Sequence, residues 1–99
     1  MTPVYLYVRQ QVEDYPRWRE IYDVHAPARQ AAGATGEAWV MRDAQNANEV
    51  TVILGWRSLD QAKAFARSIS LKDAMRQAGV MGSPDIRFLE KPLIVSPTT

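Results

Sequence analysis

The chain has 99 residues, 46% of them hydrophobic and 23% charged, which is the size of one domain and a composition that argues against disorder. Twelve Lys and Arg against eleven Asp and Glu leave a net charge of +1, so no broad electrostatic draw toward nucleic acid or an anionic membrane is expected. With no cysteine and one histidine, disulfides, thiolate nucleophiles and the usual His/Cys metal sites are excluded, and neither a metal nor another cofactor is expected.

From the N-terminus, Met1–Val12 has no basic segment followed by an apolar run, and no stretch nears the ~20 apolar residues of a membrane helix. A soluble, cytoplasmic protein is therefore expected. Pro3 to Val12 alternates: Val4, Leu6 and Val8 point one way, Tyr5, Tyr7 and Arg9 the other, which predicts a strand. Asp14 can cap a helix that tolerates Pro16 in its first turn. Trp18, Ile21, Tyr22, His25, Ala28, Arg29 and Ala32 then fall on one helical stripe, and Gly33 suits the C-terminal end. Pro27 interrupts this helix, because it cannot donate to the carbonyl of Asp23 and its ring should bend the axis just after His25.

Residues 35–42 and 50–56 read as two further strands around the polar loop Asp43 to Asn48. Ser58 with Gln61, and Ser70 with Asp73, have the spacing of capping boxes, predicting helices that end near Arg67 and Gly79. Ile86–Leu89, after Gly82-Ser83-Pro84, is read as the last strand. Residues 1–92 make one domain, and 93–99 form a tail in which Pro92 and Pro97 flank Leu93-Ile94-Val95. The order βαββααβ predicts an α+β fold of ferredoxin-like layout: a four-stranded antiparallel sheet with helices on one face.

Such a sheet leaves its other face bare. That face carries either Val4, Leu6, Val8, Val50, Val52 and Leu54, or Tyr5, Tyr7, Trp39, Met41 and Ile53. Either set exceeds an ordinary surface patch, so a second copy of the chain is the expected partner.

Five segments carry a family resemblance: residues 12–18 (VEDYPRW), 25–33 (HAPARQAAG), 48–50 (NEV), 78–80 (AGV) and 88–90 (FLE). In these the chain resembles the dimeric α/β-barrel superfamily, which includes antibiotic-biosynthesis monooxygenase-like and polyketide cyclase-like proteins. The resemblance implies that two sheets pack face to face as a dimeric α/β barrel, with a ligand cleft between sheet and helices. Haem-degrading proteins share the superfamily, but here no histidine follows the first helix to serve as their axial ligand.

The candidate catalytic residues are His25, a group that titrates near neutral pH, and Arg29, one turn later on the same stripe. His25 is either a structural histidine or a proton shuttle. Arg29 either snorkels to the helix end or holds an anionic oxygen. Trp18, Tyr22, Tyr5, Tyr7, Trp39 and Trp56 either fill the core and dimer contact or form a wall for a flat ligand. No Gly-x-Ser-x-Gly turn, phosphate-cradling loop or dinucleotide fingerprint is present. RNA recognition shares this element order, but residues 49–56 lack its basic and aromatic strand pattern. The expected function is a homodimer that binds a small apolar or aromatic ligand, either as a cofactor-independent monooxygenase- or cyclase-like enzyme acting on an aromatic or polyketide-like substrate, or as a non-catalytic binding or assembly dimer.

Overall fold

The computed structural model describes residues 3–90. Its elements are β1 (Val4–Val12), α1 (Tyr15–Val24), α2 (Ala26–Ala32), β2 (Ala34–Arg42), β3 (Glu49–Trp56), α3 (Leu59–Ala66), α4 (Ile69–Gln77) and β4 (Val80–Glu90). The four strands form one antiparallel sheet in the order β2-β3-β1-β4, and the helices cover one face. This is the ferredoxin-like α+β layout. The tail at 93–99, with Leu93-Ile94-Val95, lies outside the described residues.

Which set of strand residues is covered depends on where the helices land. The aliphatic set lies beneath them: Leu6, Val8, Val50, Val52 and Leu54 are buried, with Val4 and Trp56, and Trp18, Ala62, Phe65 and Ala78 close over them from the helical side. Tyr5, Tyr7, Trp39, Met41 and Ile53 occupy the open face. Its cross-strand rows are Trp39–Ile53–Tyr7–Arg87 and Met41–Thr51–Arg9–Asp85. Trp39 is 48% exposed and Met41 45%, values that large apolar side chains keep when nothing among the described residues covers them.

The structure departs from the sequence expectations in four places. The first helix is two, broken at His25, which has φ −81° and ψ −4°; Pro27 sits in the first turn of α2, where a missing N–H costs nothing. Asp14 has the extended backbone of a cap residue but makes no capping bond with its side chain. The cap of α4 is Ser68, not Ser70: Ser68 has an extended backbone and its Oγ accepts the Leu71 N–H at 3.1 Å. Finally, β4 starts at Val80, six residues before the expected Ile86. Gly82 takes φ +67° and the register of β1 with β4 shifts between Arg9 and Gln11. That irregularity absorbs the Gly82-Ser83-Pro84 stretch, and a proline is tolerated because β4 is an edge strand.

Ser58 does cap α3 as expected, with its Oγ accepting the Gln61 N–H at 3.2 Å. Gly33 ends α2 at φ +117°, a conformation that favours glycine.

Candidate functional site

A cavity of about 60 Å³ lies between the helices and the sheet, with His25, at the junction of α1 and α2, in its lining. One water needs roughly 10–15 Å³ on this measure, so the space is several waters deep. Its floor is Leu6, Val8, Val52 and Leu54 from β1 and β3; its walls include Trp18, Ile21 and Tyr22 from α1, Phe65 from α3, and Leu71 and Met75 from α4. Most of this lining is aliphatic or aromatic, and the polar groups are few: Gln10, His25, Arg29 and Tyr22. That composition is typical of small-molecule sites.

Helical spacing brings the polar groups together on the α1–α2 side. Trp18 and Tyr22, one turn apart, stack with centroids 5.1 Å apart and planes at 17°. The guanidinium carbon of Arg29 lies 3.9 Å from the centre of the Tyr22 ring, and Arg29 Nη1 donates to the Tyr22 carbonyl at 2.9 Å. The Arg29 residue is only 8% exposed, yet among the described residues no carboxylate pairs with it. Burial lowers its pKa from the usual arginine value, though the group stays a cation. A buried cation without an anion is costly unless something else completes its shell.

His25 is half-buried at the junction of α1 and α2. Its Nε2 lies 2.9 Å from Ser70 Oγ on α4, and its ring is 5.8 Å from that of Phe65. Burial first, and the Arg29 charge second, hold its pKa below the ordinary histidine value. At neutral pH the imidazole is therefore uncharged and carries a free lone pair, the state in which it accepts a proton. Tyr22 is pushed the other way, mainly by burial, and stays a protonated phenol.

Of the aromatic residues singled out in the sequence, Trp18 and Tyr22 line the cavity. Trp56 lies deeper, fully buried against Phe65 at 4.7 Å, and is not in the lining. Tyr5, Tyr7 and Trp39 sit on the opposite face of the sheet, where Tyr5 Oη donates to Glu37 and packs 6.0 Å from Trp39. The structure thus assembles His25, Arg29, Trp18 and Tyr22 and leaves the other four elsewhere.

Two polar residues of the site escaped the sequence reading. Gln10 is 6% exposed, lines the cavity, and has an amide oxygen with no hydrogen-bond partner among the described residues. Its signal was present: it is the one polar residue in the inward series Val4, Leu6, Val8, Gln10, Val12. Ser70 has the spacing of a cap in the sequence, which hides its approach to His25. Among the described residues no three His, Cys, Asp or Glu side chains gather as a metal group, and no helix is long and apolar enough to cross a membrane.

No family model matches this chain, and no curated protein does. Solved structures do. A candidate antibiotic biosynthesis monooxygenase from Bordetella bronchiseptica superposes with a TM-score of 0.77 at 14% identity, over 94% of this chain and 100% of that one. SnoaB, a cofactor-independent oxygenase from Streptomyces nogalater, gives 0.76 at 11% identity, over 96% and 98%. A candidate antibiotic biosynthesis monooxygenase from Caulobacter crescentus gives 0.72 at 15% identity, over 93% and 92%. At these identities the likeness is one of fold, and this chain has the ferredoxin-like fold of the antibiotic biosynthesis monooxygenase-like proteins.

Proposed function

We propose that the protein is a cytoplasmic homodimer that binds a small aromatic or polyketide-like molecule in the cavity under α1 and acts on it as a cofactor-independent monooxygenase- or cyclase-like enzyme. The observation that carries this reading is an uncharged base, His25, beside an unpaired buried cation, Arg29, in an otherwise apolar cavity. The neutral imidazole takes a proton from an acidic hydroxyl or C–H of the ligand. Arg29 then faces the oxyanion that remains, in surroundings where charge is poorly screened. The electron pair left on the substrate is the reductant for dioxygen or the nucleophile for ring closure. The fold it shares with SnoaB, an oxygenase without a cofactor, supports the first of these.

The dimer is inferred from the open face. Tyr5, Tyr7, Trp39, Met41 and Ile53 together make a patch that a second copy would cover.

The test is oxygen uptake by the purified protein with anthrone-type phenols and β-dicarbonyl compounds. Turnover is expected to fall about a hundredfold or more in His25→Gln. Turnover equal in the two proteins would remove the base assignment. The second reading, a non-catalytic ligand-binding dimer, draws support from the bond between His25 Nε2 and Ser70, which occupies one ring nitrogen. Binding of these compounds with no oxygen consumed and no product formed would favour it.

A further inference from the structure

Helix α4 begins with two serines whose hydroxyls do different things. Ser68 Oγ caps the helix, accepting from the Leu71 N–H at 3.1 Å and donating to the Phe65 carbonyl at 2.7 Å. The Ser70 hydroxyl takes no part in the cap. It meets His25 Nε2 at 2.9 Å, across 45 residues of sequence. That is the separation of a nucleophile from the base that activates it. Ser70 is exposed and has water as an alternative partner, so this contact adds little to stability.

Three features beside the pair suit acyl transfer. The N–H groups of Ile69 and Ser70 open α4 and have no backbone acceptor among the described residues. One belongs to the nucleophile's own residue and the other to its neighbour, the kind of donor that holds an oxyanion. The apolar cavity adjoins the pair, since His25 and Leu71, the residue after Ser70, both line it. At roughly 10–15 Å³ for each water-sized group, its volume of about 60 Å³ admits about four to six of them, the size of a short acyl chain. Val24 and Ile69, chain neighbours of His25 and Ser70, are 73% and 75% exposed and put apolar surface at the approach.

We infer that Ser70 is a nucleophile activated by His25, and that the pair transfers short acyl groups from carboxylic esters to water. The Ser70 oxygen bonds to the ester carbonyl carbon while its proton passes to His25 Nε2. The tetrahedral oxyanion then collapses, the C–O bond to the alcohol breaks, and Nε2 gives the proton to the departing oxygen. Water attacks the acyl-serine with His25 again as base, which releases the carboxylic acid and restores Ser70. Burial keeps the imidazole uncharged at neutral pH, ready for the first transfer. Among the described residues no carboxylate pairs with His25, and the Arg29 charge opposes the imidazolium that each transfer forms. Disabling the carboxylate of a serine protease costs about ten-thousandfold, so turnover here is slow and an activated ester leaves the acyl-serine to accumulate. This activity goes beyond the oxygen chemistry proposed above and does not depend on it.

The test mixes the full chain with 4-nitrophenyl butanoate at pH 7.5 under nitrogen, following nitrophenol by absorbance and the protein by mass spectrometry. A burst of about one nitrophenol per chain is expected, with a butanoyl group on Ser70 in the tryptic peptide 68–72. Ser68, in the same peptide, should stay free because its hydroxyl is engaged in the cap. Ser70→Ala should abolish the burst, and His25→Gln should slow it about a hundredfold or more. The decanoate ester, too long for the cavity, should react about tenfold or more slowly. An adduct confined to amines such as Lys63 and Lys72, or a burst unchanged in Ser70→Ala, would overturn the assignment. Neither outcome involves oxygen, so failure here is separate from failure of the oxygen-uptake test. The site of the adduct on the unaltered chain decides the matter even if a variant fails to fold.

Discussion

Replacing Arg29 by methionine should leave the fold intact, against the ordinary expectation for a buried residue. The guanidinium gives one bond to the Tyr22 carbonyl and one contact with the Tyr22 ring. A hydrogen bond from a charged donor is worth about 1.5–3 kcal/mol and a cation over an aromatic face about 0.5–2 kcal/mol. Against these stands the desolvation of a cation that makes no salt bridge among the described residues, which costs roughly several kcal/mol. Methionine keeps an unbranched stem of adaptable shape in the same apolar surroundings. The contributions oppose each other and leave a net change of about 2 kcal/mol or less, which at a urea dependence of about 1–3 kcal/mol per molar moves the midpoint by less than roughly 2 M. Urea unfolding followed by tryptophan fluorescence, with Arg29→Met beside the unaltered protein, measures this directly. A loss of ~3 kcal/mol or more at an unchanged slope would mean that Arg29 is held for the architecture, and the case for a ligand-facing cation would fall.

Other perturbations have equally definite outcomes. Ser68→Ala removes the cap of α4 and should cost about 1 kcal/mol, lowering Tm by about 4–8 °C; Ser70→Ala should cost distinctly less in thermal melts, because its hydroxyl meets His25 and not the helix end. Gly33→Ala is expected to lose about 1–3 kcal/mol in urea titrations, since φ is +117° and a Cβ would lie 2.6 Å from Gln61 Cδ. The depressed pKa of His25 means that the unfolded chain binds its proton more readily than the folded one. Stability should thus be full above about pH 6.5 and decline below it, toward the folded pKa, and His25→Gln should flatten that part of the urea-midpoint profile between pH 7.5 and 5. On the open face, Trp39→Glu should shift a dimer toward single subunits in sedimentation velocity at micromolar concentration, without changing helix content by circular dichroism.

Most of the fold follows from local periodicities. The two-residue alternation of β1 survives in the structure, and the residues of the stripe from Trp18 to Arg29 still gather on one side although the helix breaks at His25. The misplacements come from local signals that nonlocal packing overrides. Ser70 has an acidic residue three positions on, the better capping pattern, but Leu71, Met75 and Ala78 face the core only if the helix already runs from Ile69, which makes Ser68 the cap. Gly82-Ser83-Pro84 has loop chemistry and yet lies in a strand, since an irregular edge needs fewer donors. For the site, the helical half was legible: His25, Arg29, Trp18 and Tyr22 share a stripe and share a cavity. The strand half was not, because alternation assigns Tyr5, Tyr7 and Trp39 to a common face without telling which face the helices cover. Only the tertiary arrangement makes that choice. It also turns Gln10 from a minor flaw in an aliphatic series into a polar group in the cavity wall.

The junction between α1 and α2 ties the two candidate chemical groups to a single hinge of backbone. The carbonyl of His25 accepts from the N–H groups of both Ala28 and Arg29, so the imidazole and the guanidinium hang from neighbouring points of one short hydrogen-bonded frame. Because Pro27 cannot donate a hydrogen bond, no rearrangement of side chains can restore a straight helix there. The cavity beneath lies against a turn of backbone that the covalent chain fixes, and both candidate groups join its lining from that turn.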